Sequence, residues 1–145
     1  MRFAALQKEV YADIRFKTSE GIVPAHKAII CSECKYYRAL LLGNLKESQM
    51  DVIEVTDMSH KAFMAILKYM YSHQVEISEI EDEIIDVLLI ANKYGIESLS
   101  DYLESIVAAN IQDDNVDSLT QLADAYNFTI IKSGCAAFRQ GKLLQ

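Results

Sequence analysis

The sequence predicts an α+β fold: a small sheet flanked by helical hairpins and followed by a helical tail. Three observations lead there. Residues 11–17 alternate apolar and polar side chains with period two, and β-branched clusters follow at 22–23 and 52–55. From Ser59 onward, apolar residues recur at helical spacing in one segment after another. The strands are few and short, and they do not alternate with helices as a doubly wound sheet requires.

Taken in order, Phe3, Leu6 and Val10 are spaced for a short amphipathic helix over residues 2–10. In the first strand Ala12, Ile14 and Phe16 share one side, and Asp13, Arg15 and Lys17 the other. Thr18-Ser19-Glu20-Gly21 is turn chemistry, and Ile22-Val23-Pro24 closes a hairpin. A helix follows over 25–33 with Ile29 and Ile30 inward. A second runs over 34–42 and is stopped by Gly43-Asn44. After the polar loop 45–49, residues 50–55 form a strand.

Ser59 is the expected N-cap of a helix through Tyr71, with Phe63, Ile66, Leu67 and Met70 as its apolar stripe. A short extended piece spans His73 to Ile77. Ser78-Glu79-Ile80-Glu81 reads as a capping box, opening a helix with Ile84, Val87, Leu88 and Ala91 at core spacing and ending at Gly95. A helix over 97–109 carries Leu99, Tyr102 or Leu103, Ile106 and Val107. Another opens after Asp113-Asp114-Asn115 with Val116, Leu119, Leu122, Ala123 and Tyr126. The last follows Asn127 and carries Ile130, Ile131, Ala137 and Phe138.

Composition bounds the function. The 145 residues are 51% hydrophobic and 24% charged, which fits a globular core and not a disordered chain. The length suits one domain with a small appendage. The 21 acids against 14 bases give a net charge of −7, which argues against a phosphate-binding surface and so against nucleic acid. No apolar stretch is long enough to cross a bilayer, and residues 1–9 lack the apolar region of a signal peptide. Three cysteines, an odd count, fit a reducing compartment. The expected location is cytoplasmic, nuclear or both.

Motifs of catalysis and cofactor binding are missing from the sequence. There is no G-x-S-x-G, G-x-G-x-x-G or G-x-x-x-x-G-K. Cys31-x-x-Cys34 has no second ligand pair for zinc and lies between two helices, so it reads as two small semi-buried thiols. His26, His60 and His73 are scattered. The acids between Glu76 and Asp86 fall at a helix start, where the dipole favours them, and without EF-hand spacing. Lys35-Tyr36-Tyr37-Arg38 mixes bases and aromatics, but Tyr37 is better placed at a core edge. Gly134 and Gly141 read as local helix endings. The expectation is therefore no enzyme, no metal and no cofactor, but a binding or scaffold module.

One family accounts for the order of these motifs. Asp13-Ile14-Arg15-Phe16, then Val23-Pro24-Ala25-His26-Lys27-Ala28-Ile29-Ile30, then Tyr36-Tyr37-Arg38-Ala39-Leu40-Leu41 resemble the BTB/POZ signature of a D-V-x-F strand, an A-H-K-x-V-L segment and an S-x-Y-F helix. Here Cys34 to Tyr37 stand where the family more often has Ser-x-Tyr-Phe. Residues 63–71 are similar to the family's F-x-x-L-L-x-Y-I-Y, and residues 88–94 to its L-L-x-A-A-x-K-Y. The register holds over about residues 6 to 108. Residues 109–111 and 119–126 resemble the helical extension of cullin-binding members, the three-box or start of a BACK domain.

The resemblance implies a three-stranded sheet packed by helical hairpins, no enzymatic activity, and two ways of working. The first is as a substrate adaptor between cullin-3, in a RING ubiquitin ligase, and a substrate read by a domain outside this chain. Leu45 and Glu47, in the apolar-x-Glu triplet Leu45-Lys46-Glu47, and the C-terminal helices would contact the cullin, unless Leu45 is tucked into its own fold. The second is assembly: a homodimer, or recruitment of a non-cullin partner such as a transcriptional corepressor. Phe3, Leu6 and Val10 would lie in the dimer helix or, equally, in an intramolecular core. Asp13 and Lys27 would match the family's charged pocket, with His26 alongside. The short N-terminus favours a helix-mediated dimer over the strand-exchanged dimer of transcription-factor members. The implied limits are residues 1–108 for the BTB/POZ domain and 109–145 for the extension.

Overall fold

The computed structural model describes residues 11–43 and 51–143. Three strands, β1 (Ile14–Thr18), β2 (Gly21–Ala25) and β3 (Val52–Glu54), form one sheet in the order β2-β1-β3. β1 and β2 are an antiparallel hairpin with Phe16 opposite Val23, and β3 lies parallel to β1 with Ile53 beside Phe16. Thr18 Oγ1 accepts the Glu20 N–H at 3.2 Å and fixes the turn. Gly21 has φ 134°, where a side chain would be strained.

The alternation read from residues 11–17 becomes the two faces of the sheet. Ile14, Phe16, Val23, Ala25 and Ile53 are buried, while Lys17, Ile22, Val52 and Glu54 are exposed. Phe16 alone, fully buried, contributes about 1.5–3 kcal/mol of burial free energy. It packs edge-on to Tyr37 and against Phe63.

Helices α1 (Lys27–Glu33) and α2 (Lys35–Leu42) meet at Cys34, whose extended backbone breaks the helical run. The break is held from the side. Arg38 donates Nε–H to the Cys31 carbonyl at 2.6 Å and Nη2–H to that of Ser32 at 3.1 Å, which satisfies the free end of α1. Helix α3 (His60–Ser72) starts at Ser59, whose Oγ accepts the Ala62 N–H at 3.0 Å as expected of an N-cap. All four residues of its expected stripe are buried, and so are Ala62, Ala65, Tyr69 and Tyr71, because α3 is the central helix of its unit.

Two expectations change after α3. The extended piece expected from His73 to Ile77 is shorter than that and pairs in no sheet among the described residues, with Glu76 extended. His73 turns left-handed (φ 58°) to close α3, and Ile77 already begins α4 (Ile77–Ile80). The helix from the Ser78 capping box to Gly95 is also interrupted: α4 gives way to a 3₁₀ turn (Glu81–Glu83) before α5 (Ile84–Lys93), and Ser78 makes no cap. At this break Lys61 of α3 bonds Asp82 at 2.7 Å, and Ser59, the residue that caps α3, donates Oγ–H to Glu83 at 2.8 Å.

By its contacts the chain divides into two compact units, Met1–Glu97 and Ser98–Gln145. The second is built from α6 (Glu97–Ala108), α7 (Val116–Tyr126) and α8 (Thr129–Leu143). Leu99, Leu103 and Val107 are buried on α6, which decides for Leu103, since Tyr102 is exposed. On α8 the buried residues are Ile131 and Cys135. Ile131 is buried as expected, but Ile130 and Ala137 are exposed and Phe138 is half-buried, so the core face runs through Ile131 and Cys135. Gly134 and Gly141 do not end helices; both lie inside α8. A Cβ at Gly134 would stand 2.8 Å from Ile111 Cδ1, so this glycine allows close approach.

Candidate interaction surfaces

The junction of β2 and α1 brings Asp13, His26 and Lys27 together. Asp13 Oδ1 accepts the main-chain N–H of Lys27 at 2.7 Å, placing a carboxylate at the start of α1. The Tyr71 hydroxyl accepts the His26 N–H at 2.9 Å and lies 2.7 Å from His26 Nδ1. Burial pushes the Tyr71 hydroxyl above its usual pKa. Phe3, Leu6, Val10, Leu45 and Glu47 lie outside the described residues.

A second cluster joins α2, α5 and the turn after β3. Tyr37 is 3% exposed, a core residue and not an edge one. Tyr36 stacks on Tyr94 with centroids 4.7 Å apart. The Tyr94 hydroxyl donates to Asp57, and Lys93 Nζ lies 3.0 Å from Asp57 Oδ2. Burial drives both Tyr37 and Tyr94 far above the ordinary phenol range. Gly95 (φ 73°) permits this closeness, since a Cβ there would meet Lys35 Cβ at 2.8 Å. Lys35 in turn pairs with Glu97.

Other charges are committed to the fold. His60 Nδ1 is 2.7 Å from Thr18 Oγ1, and His73 Nε2 is 2.6 Å from Glu33. Asp82 and Glu83, expected at a helix start favoured by the dipole, both pair with Lys61. Cys31 and Cys34 are buried more deeply than expected, at 7% and 0% exposure, and Cys34 donates to the Tyr94 carbonyl at 3.3 Å. Burial raises both thiol pKa values, which makes them poor nucleophiles. Among the described residues no group of three or more His, Cys, Asp or Glu could hold a metal. No helix among them is long and apolar enough to cross a membrane.

A family profile described as the BTB/POZ domain matches residues 3–111. The chain belongs to the BTB/POZ family. Its BTB/POZ relatives include BTB/POZ domain-containing protein 9 of Homo sapiens, 31% identical over 137 residues, which cover 93% of this chain and 22% of that protein. The Drosophila melanogaster protein of the same name is 34% identical over 90% of this chain and 18% of its own length. BTB/POZ and MATH domain-containing protein 4 of Arabidopsis thaliana is 31% identical over 96% of this chain and 33% of its own. This chain thus spans a fifth to a third of these relatives.

Solved BTB domains share the fold. That of zebrafish PATZ1 superposes with a TM-score of 0.60 at 19% identity, over 72% of this chain and 83% of that one. That of human gigaxonin gives 0.58 at 23%, over 69% and 80%. A BTB/POZ domain is a protein-interaction and assembly fold, generally without enzymatic activity. Sequence reasoning passed over Asp57 and met Arg38 and Tyr94 only as members of motifs, because the roles of all three arise from contacts across elements. For Asp57 the local signal was Thr56-Asp57-Met58-Ser59, a helix-start composition.

Proposed function

We propose that this BTB/POZ chain is a cullin-3 adaptor module in a RING ubiquitin ligase, with the substrate read by a domain outside it. The observation that carries this reading is the apolar-x-Glu triplet Leu45-Lys46-Glu47 between α2 and β3, in a chain that continues beyond the family match into α7 and α8. In this reading Leu45 is the apolar anchor and Glu47 orders the loop or pairs with a partner base. Residues 1–108 are the BTB/POZ domain, and 109–145 the cullin-binding extension. The test is binding of the full chain to a cullin-3 N-terminal fragment. Leu45→Asp is expected to weaken it at least tenfold with the circular dichroism spectrum unchanged. Unchanged affinity would discard the anchor.

Assembly is the second reading. The spacing of Phe3, Leu6 and Val10 and the adjacency of Asp13, His26 and Lys27 support a homodimer or a non-cullin partner such as a corepressor. A dimer in light scattering that survives Phe3→Asp with Leu6→Asp would remove that helix as the interface.

A further inference from the structure

A cleft of about 540 Å³ opens between the turn after β3 and α5. That volume lies in the range of roughly 300–1,000 Å³ typical of sites that enclose a ligand group. Met58, Leu89 and Ile90 give it apolar lining, and Asp57, Glu83 and Asp86 give it carboxylates. Two of these acids are held in place by the fold. Asp57 is fixed by Tyr94 and Lys93, and Glu83 by Ser59 at 2.8 Å and Lys61 at 3.7 Å. A carboxylate offers about four lone-pair sites, so these contacts leave accepting capacity on both.

The charge count fixes the sign of the occupant. Asp57, Glu83 and Asp86 line the cleft without a Lys or Arg among its described lining residues, and Lys61 and Lys93 reach Glu83 and Asp57 from beside it, leaving the cleft negative. An anionic segment would meet repulsion, and a wholly apolar one would strip water from carboxylates without replacing its hydrogen bonds. Arginine answers both demands: its planar fork donates to carboxylates and its stem lies along apolar surface.

We propose that this cleft docks a segment of a partner protein that carries an arginine beside a leucine- or methionine-sized side chain. The guanidinium meets Glu83 and Asp86, and the apolar side chain rests on Met58, Leu89 and Ile90. The proposal does not depend on Leu45 or Glu47.

The test uses the full chain and a fluorescein-labelled peptide, Gly-Leu-Arg-Ala-Leu-Arg-Gly. Saturable binding is expected in fluorescence anisotropy, weakening as salt rises. Amide shifts in an ¹⁵N spectrum should cluster at residues 56–59 and 83–90. Asp86→Lys should weaken binding at least tenfold, and Asp86→Asn, which disturbs the fold less, about threefold. The same peptide with glutamate in place of arginine should not bind, and Leu45→Asp should leave affinity unchanged. Shifts elsewhere, binding indifferent to both Asp86 variants, equal binding of the glutamate peptide, no binding at millimolar peptide, or loss with Leu45→Asp would each overturn the proposal.

Discussion

The Tyr94 hydroxyl lies between the two carboxylate oxygens of Asp57, 2.9 Å from Oδ1 and 2.7 Å from Oδ2. Its single proton therefore serves an ionised partner, and the bond ties α5 to the turn that starts α3. Burial opposes the charge on Asp57, but the hydrogen bonds from Tyr94 and Lys93 outweigh it and hold the carboxyl below its usual pKa. A depressed folded-state pKa stabilises the protein fully above the unfolded value, about 4, and this contribution is lost as pH falls through the folded value. Stability measured in urea should therefore fall below about pH 4, and Asp57→Asn should flatten that part of the profile. Tyr94→Phe is expected to cost about 1–3 kcal/mol at pH 7.

Glu104 is 5% exposed and accepts the N–H groups of Ile130 at 2.7 Å and Ile131 at 3.0 Å. A carboxylate from α6 thus caps the first turn of α8. Glu104→Ala removes the acceptor for both groups and should cost about 2–3 kcal/mol, at the upper end for a lost cap. Glu104→Gln keeps one oxygen and should cost less. Thermal unfolding followed by circular dichroism ranks the two.

Glycine positions separate by geometry. Gly95→Ala forces a side chain into left-handed backbone and against Lys35, and should destabilise by about 1–3 kcal/mol. Gly141→Ala meets nothing within 4 Å in a helix and should stabilise by about 0.5–1 kcal/mol. Denaturant midpoints report both signs.

Cys31, Cys34 and Cys135 are all buried and unpaired by disulfides. Labelling with a thiol reagent at pH 7.5 should be slow in the native protein and fast in urea, with three equivalents consumed. Rapid native labelling of Cys34 would contradict its place beneath Tyr94.

What could be read along the chain was whatever is local. Period two over β1, Ser59 as a cap and the Phe63–Met70 stripe each depend on neighbours a few residues away, and each appears in the structure. The course of the Glu76–Asp86 acids was not legible, because Lys61 and Ser59 reach them from another helix. Gly134 depends on Ile111, and Glu104 on Ile130 and Ile131, at separations where composition carries no register. Asp13, His26 and Lys27 could be brought together only through the family resemblance, since Asp13 and Lys27 lie in different elements.

Phe16 meets its two sheet partners across very different lengths of chain. Val23 is seven residues away and Ile53 thirty-seven. The hairpin closes through a tight turn, whereas β3 must return past α1 and α2 at an entropic cost of about 3 kcal/mol for so long a loop. A three-residue parallel ladder cannot offset that cost by itself, so β3 joins only as the intervening helices pack. The amides of Arg15 and Val55, bonded across the β1–β3 seam, should therefore exchange with solvent only through global opening, while that of Glu20 in the turn exchanges by local fraying.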